Sequence, residues 1–317
     1  MHLNSPNSDS RTFRQNSRIL WWVVVVVMIA AYVGMAAVGL SVDFKSNPAL
    51  LILTAVYAAT TWFYRSIRFD QRLSQALITV AQLLLTMILG LLCSYAVAAT
   101  AMPYQDATLL AIDQWLGFDR QSYVRVFTGA PWKIHLSDFI YQAMLPQLAF
   151  VPFVLVVTNR TERLQRFVAA YVVALISTIA IFMFVPAVGA FVYFDLTPAQ
   201  YAALPIDVYT PARTLDALRS GIMKIVRLNN LEGLIAFPSF HTAASILYSW
   251  ALWPVKSIRR PVAALNAAII STTPVCGAHY AIDVIAGAAV AIGAIVASGL
   301  LRRSTVGLHP TPQFQSI

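Results

Sequence analysis

Charge is scarce in this chain and cysteine nearly absent. Asp, Glu, Lys and Arg make up 11% of its 317 residues and AVILMFWYC 59%, against roughly 25% and 45 to 50% in ordinary soluble domains. That balance excludes a soluble globular fold. The two cysteines, Cys93 inside an apolar run and Cys276, form no CxxC pair, which excludes a disulfide framework and a cysteine-based zinc signature. No internal repeat is visible. A net charge of +9 would suit a nucleic-acid binder, but such a protein gathers Lys and Arg on one face, and here they fall in short groups between apolar runs. Nucleic acid is therefore not an expected partner.

What is present is a series of apolar runs long enough for helices across a hydrocarbon core of about 30 Å. They lie near 19–41, 49–64, 73–100, 139–157, 166–187, 240–255, 262–277 and 279–301. The reading is an all-α polytopic bundle of about eight spans. The first run follows Arg11, Arg14 and Arg18 but exceeds a signal-peptide core of about 7 to 15 residues, so it reads as a retained span. Every second connection is basic: Arg11, Arg14 and Arg18; Arg65, Arg68 and Arg72; Arg160, Arg163 and Arg166; Lys256, Arg259 and Arg260; Arg302 and Arg303. These groups hold fourteen of the 22 Lys and Arg residues. By the positive-inside rule they are cytoplasmic, together with both chain ends, in a cell membrane.

The organisation that follows is a cytoplasmic tail at 1–18, membrane helices over 19–100, and an outer amphipathic connection at 101–138. A membrane core at 139–303 contains a second long outer segment, 188–238, and a cytoplasmic tail fills 304–317. Within Tyr104 to Phe118, Leu109, Ile112 and Leu116 recur at helical spacing beside Asp106 and Asp113, a pattern for a helix lying in the interface. Trp115, Trp132, Tyr193, Tyr201 and Tyr209 suit an aromatic belt at headgroup depth. The stretch through Asn16 and the tail after Arg303 are polar and expected to be disordered.

Two segments put ionisable residues at the outer ends of apolar helices, where an ionisable group is expensive and marks a functional site by default. One is Phe237-Pro238-Ser239-Phe240-His241-Thr242, the other Cys276-Gly277-Ala278-His279-Tyr280-Ala281-Ile282-Asp283. His279 and Asp283 are spaced i, i+4, so on a helix they share a face and the carboxylate can accept the Nδ1 proton. Nε2 is then bare, as a nucleophile or base requires. Pro238-Ser239 reads as a helix start, whose N–H groups and dipole favour an anion such as phosphate. Of the other histidines, His2 and His309 fall in the tails, and His135 reads as a surface residue. The alternative to catalysis is a structural role for both motifs. A metal held by His241, His279 and Asp283 is a further one, although nothing resembles an additional ligand or the close ligand pairs of zinc sites.

The two motifs, the second continuing through Val284-Ile285-Ala286-Gly287, resemble the second and third signatures of the type 2 phosphatidic acid phosphatase (PAP2) superfamily. Within it they are most similar to the branch of inositol phosphorylceramide synthases and related head-group phosphotransferases. The resemblance covers roughly 185–300, with Asp113-Gln114-Trp115-Leu116-Gly117-Phe118-Asp119 a looser echo in the N-terminal half. It implies that His279 forms a phosphohistidine, that Asp283 orients it, that His241 protonates the leaving group, and that Ser239 with nearby N–H groups holds phosphate oxygens. No metal or other cofactor is implied, and the expected partner is a lipid phosphate or phospholipid.

The chain departs from the phosphatase branches in two places. They carry a Ser-Arg pair upstream of the nucleophile, where Thr272 and Thr273 stand here, and a Lys-containing first motif that is missing. Phosphoryl transfer needs charge neutralised on three oxygens. Lys224 and Arg227, in the connection before His241, are the expected cations, with Thr273 a further phosphate contact. Snorkelling at the interface is the other reading of the two cations. The expected activity is hydrolysis of a lipid phosphomonoester, the alternative head-group transfer to an alcohol. A transporter using the same residues as a proton relay is more remote, because the middles of the other spans lack charge.

Overall fold

The computed structural model describes residues 6–68, 70–193 and 209–306. Tyr201, His2, His309 and the far ends of both expected tails lie outside the described residues. Those described form thirteen α-helices and one parallel two-stranded ribbon. In chain order the helices are α1 (Pro6–Ala37), α2 (Pro48–Ser66), α3 (Gln71–Ala98), α4 (Asp106–Trp115), α5 (Arg120–Thr128), α6 (Pro131–Gln142), α7 (Met144–Val157), α8 (Thr161–Phe184), the short α9 (Ala190–Tyr193), α10 (Tyr209–Arg219), α11 (Phe240–Leu252), α12 (Arg259–Cys276) and α13 (Ala281–Val306). The ribbon pairs β1 (Ser41–Asp43) with β2 (Ile225–Arg227).

Each of the eight apolar runs carries a helix, but their lengths differ. Four have the length and hydropathy to cross a membrane: Ser17–Ala37 of α1, all of α3, all of α8, and Ala281–Leu300 of α13. The pair α6 and α7, bent by 40° at their break, makes a fifth if taken as one span. Helix α11 has only 13 residues, about 20 Å at 1.5 Å each and short of a core of about 30 Å. Among the described residues, length and composition thus show four or five spans of the eight expected. The polar stretch through Asn16 also departs from expectation, since α1 is helical from Pro6. Extending an already nucleated helix by one residue is cheap, and proline suits a first turn.

The core lies where α3, α7, α8, α11 and α13 meet, around Leu83, Leu155, Phe167, Tyr171, Leu247 and Tyr248. Polar side chains set helix register inside it. Gln147 on α7 and Asn266 on α12 exchange amide hydrogen bonds of 3.2 and 2.9 Å while buried, and a buried amide is tolerated only when so paired. At the end where α7 turns into α8, Arg160 donates to the Pro254 carbonyl at 2.9 Å and Arg163 to that of Trp250. The Arg163 guanidinium caps the last carbonyls of α11, where a cation is favoured, and Arg160 holds the chain just beyond the helix end. The opposite end holds both histidine motifs, because the Ser239 N–H donates to the Asp283 carbonyl at 3.0 Å.

Candidate active site

Ser239 is the N-cap of α11. Its backbone is extended and its Oγ accepts the Thr242 N–H at 3.3 Å. A serine here satisfies one of the N–H groups that a helix start leaves unpaired. The N–H groups of Phe240 and His241 lie at the same positive end of the helix dipole. The cap rests directly on α13, since a Cβ at Gly287 would lie 2.3 Å from the Ser239 carbonyl oxygen. Only glycine lets these backbones approach so closely.

His279 stands in the four-residue turn between α12 and α13 rather than on a helix. The turn folds back through Ala278, at φ 53°, a left-handed conformation that costs a non-glycine residue roughly 1–2 kcal/mol. Gly277 makes room for the imidazole, because a Cβ there would sit 2.4 Å from His279 Cδ2. The ring then reaches Asp283 in the first turn of α13: His279 Nδ1 lies 3.1 Å from Asp283 Oδ2, which also accepts the Tyr280 N–H at 2.8 Å. Asp283 is 0% exposed and His279 3%. A carboxylate only accepts, so this bond places a proton on Nδ1 and leaves Nε2 with its lone pair.

His241 has a different partner. The Tyr141 hydroxyl on α6 lies 3.1 Å from its Nδ1, and the rings stack with centroids 4.2 Å apart.

Helix α4 supplies residues that the sequence motifs did not. Asp106 and Asp113, two helical turns apart, are both buried. Asp106 accepts the Tyr280 hydroxyl at 3.0 Å and the N–H groups of Val188 and Gly189 at 3.0 and 3.2 Å. Asp113 accepts the N–H groups of Ala281 and Ile282, each at 2.9 Å, and pairs with Arg120 at 3.0 Å. Arg120 in turn donates to the His279 carbonyl at 3.1 Å and lies over the Tyr280 ring. Burial holds the Arg120 guanidinium below its ordinary value, with Asp113 opposing that shift.

The structure therefore brings together His279, Asp283, His241 and Ser239. Thr273 is buried in α12 and donates to the Ile269 carbonyl at 2.8 Å, while its own carbonyl receives the Gly277 N–H at 2.9 Å. It supports the start of the His279 turn. Lys224 and Arg227 lie on the ribbon side, where the Lys224 carbonyl accepts from Ser41 and Arg227 precedes a short 3₁₀ turn. Among the described residues no hydrogen bond ties either cation to a histidine. The missed residues had partial signals: Asp113 belongs to the echo segment, and Asp106 repeats it at i−7 on the same helix face. Tyr141 and Arg120 had none.

A family model described as the PAP2 superfamily matches residues 107–297, more than half of the chain. No curated protein and no solved structure matches it.

Proposed function

The chain belongs to the PAP2 superfamily, and on that premise we propose that it is a membrane enzyme that hydrolyses a lipid phosphomonoester through a phosphohistidine on His279. The observation that carries this reading is the pairing of His279 Nδ1 with the buried Asp283 carboxylate, beside a second imidazole at the start of the neighbouring helix. Nε2 of His279 attacks phosphorus, and the bond from phosphorus to the lipid oxygen breaks. His241 Nε2 donates the proton that the leaving alkoxide takes up. Water then attacks the phosphohistidine with His241 as base, the P–N bond breaks and inorganic phosphate leaves. Ser239 and the α11 N–H groups support the phosphate oxygens, with Lys224 and Arg227 as the proposed neutralising cations, while Thr273 spends its hydroxyl on the Ile269 carbonyl. No cofactor enters this scheme. The alternation of basic connections assigns the site to the extracytoplasmic face of the cell membrane and both termini to the cytoplasm.

A second reading is head-group transfer, as in the inositol phosphorylceramide synthase-like branch. The burial of His279, 3% exposed, favours it, because a covered site admits a bound alcohol in preference to bulk water. The first half-reaction is the same. The test gives purified enzyme a phosphomonoester such as phosphatidic acid in one tube, and a diester phospholipid with candidate alcohols in another. Hydrolysis predicts vanadate-sensitive release of inorganic phosphate in the first. Phosphate absent from every monoester, with a new phospholipid formed only when alcohol is present, would replace hydrolysis by transfer.

A further inference from the structure

The turn that carries His279 has no regular structure of its own and includes a left-handed alanine, so its shape must be imposed from outside. Five consecutive residues are tied. The Ala278 carbonyl accepts the Ala190 N–H at 2.8 Å, the His279 carbonyl accepts from Arg120, the Tyr280 N–H goes to Asp283, and the Ala281 and Ile282 N–H groups go to Asp113. Two of these ties bear on the angle between His279 and its carboxylate. Asp113 holds the peptides next to Asp283, and Arg120 holds the peptide of His279. The 3.0 Å ion pair between Asp113 and Arg120 joins the two holds into one clamp.

From this arrangement we propose that Asp113 and Arg120 are positioning residues, which fix His279 against Asp283 through the backbone and thereby set the direction and tautomer of the attacking nitrogen. The chemistry suits the task. A guanidinium is a rigid planar fork whose donors can engage the Asp113 carboxylate and the His279 carbonyl together, whereas a lysine ammonium is a single point charge on a flexible stem. The Asp113 carboxylate takes two of the first N–H groups of α13 and complements its dipole, so that end of α13 is already filled by protein. The phosphate must then be gathered at the start of α11. Misplacing a reacting group by about 1 Å costs on the order of 10²-fold in rate, and that is the loss expected when the clamp opens.

The inference rests on His279 acting as proposed above, and its test has one arm that needs no turnover. Arg120→Lys is the deciding variant, because it keeps the charge and loses the fork. The clamp predicts a fall in kcat on the order of 10²-fold with KM for a lipid phosphate, and inhibition by inorganic phosphate, held within about twofold. Asp113→Asn should behave alike, and the double variant should be no worse than the worse single one, because opening either hold opens the clamp. In protein labelled with nitrogen-15 histidine, the His279 signal should show the Nδ1–H tautomer in the wild type and a mixture in both variants, with His241 unchanged. A weakened affinity for phosphate with kcat intact would overturn the proposal by making Arg120 a substrate contact. An unchanged His279 tautomer in both variants would overturn it as well. A wild type that transfers no phosphoryl group would sink the proposed function, and the tautomer measurement would still decide on the clamp.

Discussion

Tyr141 and His241 lie face to face, with the Tyr141 hydroxyl 3.1 Å from His241 Nδ1 and the rings inclined by 15°. The relationship inverts the one at His279. Asp283 can only accept, so it requires a proton on the Nδ1 it faces. Tyr141 can donate, so His241 can leave Nδ1 bare and carry its proton on Nε2. The two rings thus face partners of opposite kind, a pure acceptor at His279 and a hydroxyl that can donate or accept at His241.

Replacing Tyr141 by Phe keeps the stacked ring and removes the donor. The expected result is a loss on the order of 10-fold in turnover for lipid phosphates with basic leaving groups, below the roughly 10² to 10⁴-fold of a whole acid. Substrates with good leaving groups, such as aryl phosphates, should be affected much less. An equal loss on both classes would separate Tyr141 from the acid step.

The two histidines should separate in a trapping experiment. His279→Ala should abolish an acid-labile phosphoenzyme along with turnover, whereas His241→Ala should still form it from a substrate with a good leaving group. Phosphoenzyme that persists in His279→Ala would move the nucleophile elsewhere. Turnover is expected to survive a strong chelator, and a loss that zinc restores would support the alternative in which His241, His279 and Asp283 hold a metal.

Gly287 offers a test of the helix contact beneath the site. A methyl group there meets the Ser239 carbonyl oxygen at 2.3 Å and Thr242 Cβ at 3.1 Å. Gly287→Ala should therefore destabilise the protein by about 1–3 kcal/mol, as overpacking does, and lower kcat by displacing the α11 cap from α13. Gly293, on the same helix, has nothing within 4 Å of its added Cβ. Gly293→Ala should leave activity intact and gain up to about 1 kcal/mol from helix propensity. Thermal unfolding in detergent with parallel assays distinguishes the two, and equal behaviour would discount the contact.

Topology can be read by thiol labelling in a background with Cys93 and Cys276 replaced by alanine. Cysteines at Ser66 and Ser257 should be shielded from an impermeant reagent in intact cells, and one at Ala199 should react. The reverse pattern would place the histidines on the cytoplasmic face.

The sequence alone determined the helical class, the eight helix positions and the two histidine motifs, because each rests on local signals. An apolar run of sufficient length has few structural alternatives, and Pro238-Ser239 starts a helix by its own chemistry, as the Ser239 cap shows. The spacing of His279 and Asp283 likewise brought their side chains together, although the histidine proved to lie in the turn before α13. Residues that reach the site from distant parts of the chain could be found only from the tertiary structure. Tyr141 meets a histidine 100 positions away, and Arg120 meets the His279 carbonyl across 159. Nothing near either residue in sequence marks such a pairing, since the packing of α4 against α13 and of α5 and α6 against α12 creates it.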